Sequence, residues 1–65
     1  MIKIGDEIHT RFGRTEIEQM QITDYPRTKC GTNVDEVDED DIRANKVVFI
    51  LANGHWCYSD QVYLP

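Results

Sequence analysis

An Asn53-Gly54 pair stands between the apolar run Val47–Leu51 and the alternating aromatics Trp56 and Tyr58. Asn-Gly suits a tight reversal, because both central positions of a two-residue hairpin turn need positive φ. The stretch predicts a β-hairpin, and a chain that ends in such a unit builds its core mainly from strands. Ser59-Asp60-Gln61 reads as a single helical turn leading to Val62 and Leu64 as a last short strand, which Pro65 ends. Trp56 is expected in the core, where burying an indole contributes about 2–3 kcal/mol. Tyr58 and Tyr25 are expected to stay exposed.

The opening residues carry a second strand signal. Ile8, Thr10 and Phe12 alternate with Glu7, His9 and Arg11, which is the period of a half-buried strand. Ile2 and Ile4 precede a Gly5-Asp6 turn signal, and Gly13-Arg14 reads as a tight connection into the next strand. There Met20 and Ile22 share one face while Ile17 falls on the other, a conflict that a β-bulge reconciles. Thr15-x-x-Glu18 also fits a helical capping box, but Ile17, Met20 and Gln21 make too thin a stripe for a helix.

Residues 24–45 show no strand alternation and read as a long irregular connection. Connections of this length in a small domain are generally functional or disordered. Asn33-x-x-Glu36, with Val34, Val37 and Ile42, offers one or two helical turns, and Val37 and Ile42 serve as anchors to the body. Asp35, Glu36, Asp38, Glu39, Asp40 and Asp41 all lie here, six of the twelve acids in the chain. The remaining residues carry six acids against seven lysines and arginines, so the net charge of −5 comes from one acidic knob on a near-neutral body. The run lacks the glycine of a calcium loop and has Val37 inside it. It reads as a solvated loop or as a surface that steers a basic partner.

At 65 residues the chain has room for one domain. A chain of this size buries only about 60% of the surface its unfolded form exposes, which disfavours a deep enzyme cleft. No apolar run approaches the roughly 18 residues of a membrane span, and the first residues lack a signal-peptide core, so a cytoplasmic protein is expected. Cys30 and Cys57 are too few for a secreted disulfide scaffold. Two thiols are the simple reading, and one bridge between them is the alternative. His9, His55, Cys30 and Cys57 offer zinc-ligand chemistry, but His55-x-Cys57 is not a zinc spacing and no CxxC accompanies it. The sequence implies no metal and no cofactor. It also holds no phosphate-binding glycine loop and no nameable nucleophile, so an enzyme is not expected.

Five short strands, a hairpin joining the third and fourth, a helical turn before the fifth and Gly5-Asp6 near the start together resemble the SH3-like small β-barrels, including Tudor and KOW-type domains. The opening, through Gly5-Asp6, Ile8 and Gly13, is similar to the RNA-polymerase-interacting domain of CarD-like factors; Arg14-Thr15 and the acidic segment depart from that pattern. Short proteins of phage and marine bacteria look alike in build, a likeness that implies no activity.

The expected fold is therefore all-β, a five-stranded SH3-like barrel spanning residues 1–65 with the acidic segment inserted between strands two and three. The expected role is a non-enzymatic interaction module that binds a protein partner through Asp35, Glu36, Asp38, Glu39, Asp40 and Asp41 with Tyr25 and Tyr58. The resemblance to CarD-like factors implies a sharper form of it, regulation at RNA polymerase. The alternative is a nucleic-acid-binding barrel using Arg11, Arg14, Arg27 and Lys29 beside Phe12 and Tyr25, cations for phosphate and rings for stacking. Exposed edge strands in so short a barrel also favour pairing of two copies.

Overall fold

A computed structural model describes residues 1–28 and 31–63. The protein is mostly strand: β1 (Ile2–Lys3), β2 (Glu7–Thr10), β3 (Gly13–Ile22), β4 (Thr32–Val34), β5 (Glu36–Val37), α1 (Glu39–Arg43), β6 (Val47–Leu51), β7 (Trp56–Tyr58) and a 3-10 turn η1 (Ser59–Gln61). Two sheets form, a ribbon of β1 with β5 and a larger sheet in the order β2-β3-β6-β7, with β4 added on β3. Among the described residues the strands close no barrel. After η1 a single antiparallel bridge, Val62 to Thr10, returns the chain to β2.

The ten-residue β3 organises this arrangement. Its first half pairs with β2, its second half with β4, and β6 runs along its other edge. The β3–β6 register slips between Ile17 and Gln19, so a bulge at Glu18 turns both Ile17 and Met20 inward, as the sequence required. They meet Ile8, Val47, Leu51 and the fully buried Phe49 in one core.

Residues 24–45 are not one irregular loop. They hold β4, β5 and α1, and Thr32-Asn33-Val34 and Glu36-Val37 become strands because β3 and β1 supply the ladder partners. The helix begins after Asp38 rather than at Asn33, with Glu39, Asp40 and Asp41 in its first turn, where the macrodipole favours them. Val37 and Ile42 are buried, which makes them the anchors expected. A Cβ at Gly31 would run into the Ile22 carbonyl, so only glycine lets the chain enter β4 this close to β3.

The Asn53-Gly54 reversal is a hairpin, but its loop has a different length. Ile50 pairs with Trp56, and the Leu51 N–H donates to the His55 carbonyl at 2.9 Å, leaving residues 52–54 as the loop. Gly54 alone has positive φ, +90°. The Gly54 N–H donates to the Leu51 carbonyl at 3.2 Å, the pattern of a turn closed by a glycine bulge. One extra loop residue reverses the inward and outward parity of β7. Cys57, opposite Phe49, is fully buried, while Trp56, opposite Ile50, is 38% exposed instead of lying in the core. Phe12 likewise leaves the inner face of its strand, because β2 ends at Thr10 and Phe12 occupies the turn.

At the far end of β7, one hydroxyl replaces a rung of the ladder. Val47 lies four residues from Leu51, so by parity its N–H and C=O point towards β7. There the backbone has already turned into η1. The buried Ser59 Oγ accepts from the Val47 N–H at 2.8 Å and donates to the Val47 carbonyl at 2.6 Å. Ser59→Ala leaves both groups buried and unpaired, and should cost about 2–3 kcal/mol. Urea or thermal unfolding is expected to show a Tm lower by about 10 °C or more, with the far-ultraviolet spectrum of the folded state unchanged.

Candidate functional site

The two hairpin tips lean on each other. The Asn53 side-chain amide donates to the Phe12 carbonyl at 3.3 Å, and its Oδ1 accepts from the His55 N–H at 3.1 Å. Phe12 and His55 stack with centroids 4.6 Å apart and planes 5° from parallel. Beside this stack, Trp56 and Tyr58 project from the outer face of β7, two positions apart, with centroids at 5.2 Å and planes at 87°. Four rings from the two hairpins thereby line one face, Phe12, His55 and Trp56 exposed and Tyr58 half-buried rather than exposed as expected, and offset or edge contacts of this kind favour defined ring orientations.

Arg27 closes the face on its other side. Its guanidinium lies 4.5 Å from the centre of the Tyr58 ring and forms an ion pair with Asp60. Arg27 has a left-handed backbone, φ 54°, as has Asn45, φ 59°. The Arg27 N–H donates to the Asn45 carbonyl and the Asn45 side chain accepts from the Asp60 N–H, both at 3.1 Å. The arginine is thus carried on the junction between α1 and η1. An open depression of about 410 Å³ is lined by Phe12, Arg27, His55, Trp56, Tyr58 and Gln61. A second one lies across Trp56 and His55, bounded by Ile50 and Glu18.

Tyr58 therefore belongs to this face. Tyr25 is 73% exposed in the connection after β3, and its carbonyl accepts from the Thr23 hydroxyl at 2.7 Å. The six acids run through the turn before β5, β5 itself, the N-cap of α1 and its first turn. Glu36 stands opposite Lys3 in the β1–β5 ribbon, Asp35 accepts through its carbonyl from the Ile4 N–H at 3.1 Å, Asp38 caps α1 without a side-chain bond, and Glu39 and Asp40 face Arg43 at 3.2 and 4.0 Å. Asp41 is half-buried. Helix α1 packs on η1, which puts the acids of the helix one element away from Asp60 and Arg27.

Arg11 lies 5.7 Å from the Phe12 ring, Arg14 pairs with Glu7 at 3.6 Å across the first hairpin, and Lys29 lies outside the described residues. Phe12 and Trp56 are the two rings whose placement differs from the sequence pattern, which set Phe12 on the alternating face of its strand and Trp56 in the core. The glycine next to each tip, Gly13 and Gly54, is the signal that a bulge could move them outward.

Among the described residues no three His, Cys, Asp or Glu side chains are grouped to hold a metal, and no helix is long and apolar enough to cross a membrane. His55 and Cys57 do not share a strand face: His55 is exposed before β7 begins, and Cys57 is a buried free thiol. Cys30 lies outside the described residues. Burial, and secondarily the Asp60 carboxylate, push the Cys57 thiol up to about 11 from 9.0. A thiol whose pKa is raised by folding stabilises the fold at neutral pH and loses that contribution as pH rises from about 9 to 11. Stability of the wild type should therefore fall more steeply over that window than stability of Cys57→Ala. In a Cys30→Ser background, Cys57 should react with iodoacetamide at pH 8 only after denaturant is added.

Compared with protein-family models, with curated proteins and with solved structures, the chain matches none significantly.

Proposed function

We propose that this protein is a small SH3-like barrel acting as a non-enzymatic interaction module, and that its partner is a protein held on the ring face of Phe12, His55, Trp56 and Tyr58. The SH3-like reading is supported by the β2-β3-β6-β7 order, by the 3-10 turn after β7 and by the bridge from Val62 to Thr10. The binding reading rests on one observation: large aromatic rings are fixed side by side at the surface, where each one covered by a partner contributes burial at little entropic loss. The acids of α1, packed on η1 beside this face, supply a field that attracts a basic partner. Arginines over the Tyr58 and Phe12 rings favour single-stranded nucleic acid as the second reading. Against it stand Asp60 on Arg27, Glu7 on Arg14 and the net charge of −5.

Immobilised wild-type protein, Trp56→Ala, Tyr58→Ala and a form with the six acids changed to their amides should be compared in capture from cell lysate. The wild type is expected to retain a protein that the two ring variants release, with affinity lower by about 30-fold or more, the loss typical of a binding hot spot. The amide form should bind more slowly and with weaker salt dependence. Retention of the wild type on heparin at low salt, lost steeply as salt rises, would instead establish the nucleic-acid reading.

A further inference from the structure

The ring face is electrically two-sided. The depression on one flank of Trp56 carries Arg27, and that on the other carries Glu18. Glu18 stands at the β3 bulge and has no ion-pair partner among the described residues. Arg27 is engaged by Asp60 on the exposed side of the molecule, but a guanidinium has five N–H donors and retains some for a second carboxylate. Trp56 and His55 border both depressions and form the ridge between them.

Building on the interaction-module reading, we infer that the ridge binds an extended peptide segment of mixed charge. An apolar residue lies against Trp56, a carboxylate reaches towards Arg27 and a basic side chain reaches towards Glu18. A segment that reaches both depressions has to cross Trp56, and an extended one does so while sending successive side chains to opposite sides of its backbone. A polyanion satisfies Arg27 but meets Glu18, and a uniformly basic segment meets Arg27 and the neighbouring Arg11. Each exposed charge pair contributes little, so the charges set the direction of the segment while the ring supplies most of the affinity.

A phage-displayed random dodecapeptide library panned against wild-type protein, Glu18→Lys and Arg27→Gln tests this directly. Both side chains are exposed, and thermal unfolding verifies that each variant folds. Wild type is expected to enrich peptides with an apolar centre, a basic residue on one side and an acidic residue on the other. Glu18→Lys should lose the basic preference and Arg27→Gln the acidic one. The best wild-type peptide, followed by the fluorescence of Trp56, should weaken about five-fold on each variant. Enrichment of the same peptides by all three proteins overturns the inference, as does enrichment of singly charged peptides. A twelve-residue oligothymidylate that alters Trp56 fluorescence as strongly as the peptide also overturns it. Failure to enrich any peptide rejects the peptide segment alone, because the capture comparison decides independently whether the ring face binds a folded protein.

Discussion

A ladder that slips by one residue in the middle of β3 is the constraint on which the rest of the structure rests. A strand has two faces and a strict period of two, so Ile17 and Met20 cannot both face inward along a regular β3. The bulge at Glu18 removes that conflict. It also bends and twists the strand, which lets one ten-residue segment pair with β2 at its start and β4 at its end. With it the hydrophobic residues of both halves enter a single core; a chain this short cannot sustain two. The same slip pushes Glu18 out to the surface beside the rings of β7, so an adjustment made for packing has an electrostatic result.

Polar side chains finish the sheet where the backbone cannot. Ser59 completes the edge of β6 as the chain turns into η1. Thr23 does a related task at the end of β3, its hydroxyl reaching both the Tyr25 and Lys46 carbonyls at 2.7 and 3.2 Å. Both residues are buried, and no buried side-chain nitrogen or oxygen among the described residues lacks a partner. In a domain with so little apolar area, one orphaned polar group would remove a sizeable share of the net stability.

Much of the strand content was legible in the sequence because alternation and turn residues are local signals: β2, β3, β6, β7 and the 3-10 turn all follow from them. β4 and β5 were not, since Thr32-Asn33-Val34 and Glu36-Val37 carry no alternation of their own and become strands only through partners distant in sequence. The site was less legible than the fold. Trp56 reads as core by size and position, and its exposure depends on whether the turn holds two residues or three. Asn-Gly serves both lengths. The placing of Arg27 over Tyr58 and the stacking of Phe12 on His55 are products of tertiary contact, and no spacing along the chain announces them.

The three-residue reversal at 52–54 also bears on how such a protein tolerates change in length. Removing one residue there would exchange the environments of Trp56 and Cys57, turning the indole into a space filled by a thiol and the thiol out to solvent. The exposed ring face and the core are therefore two readings of the same short strand, and loop length selects between them. Insertions in the longer connection between β3 and β4 face no such parity rule. Divergent versions of this fold should accumulate their length variation there, while the hairpin tip keeps a fixed residue count even where its residues themselves are replaced.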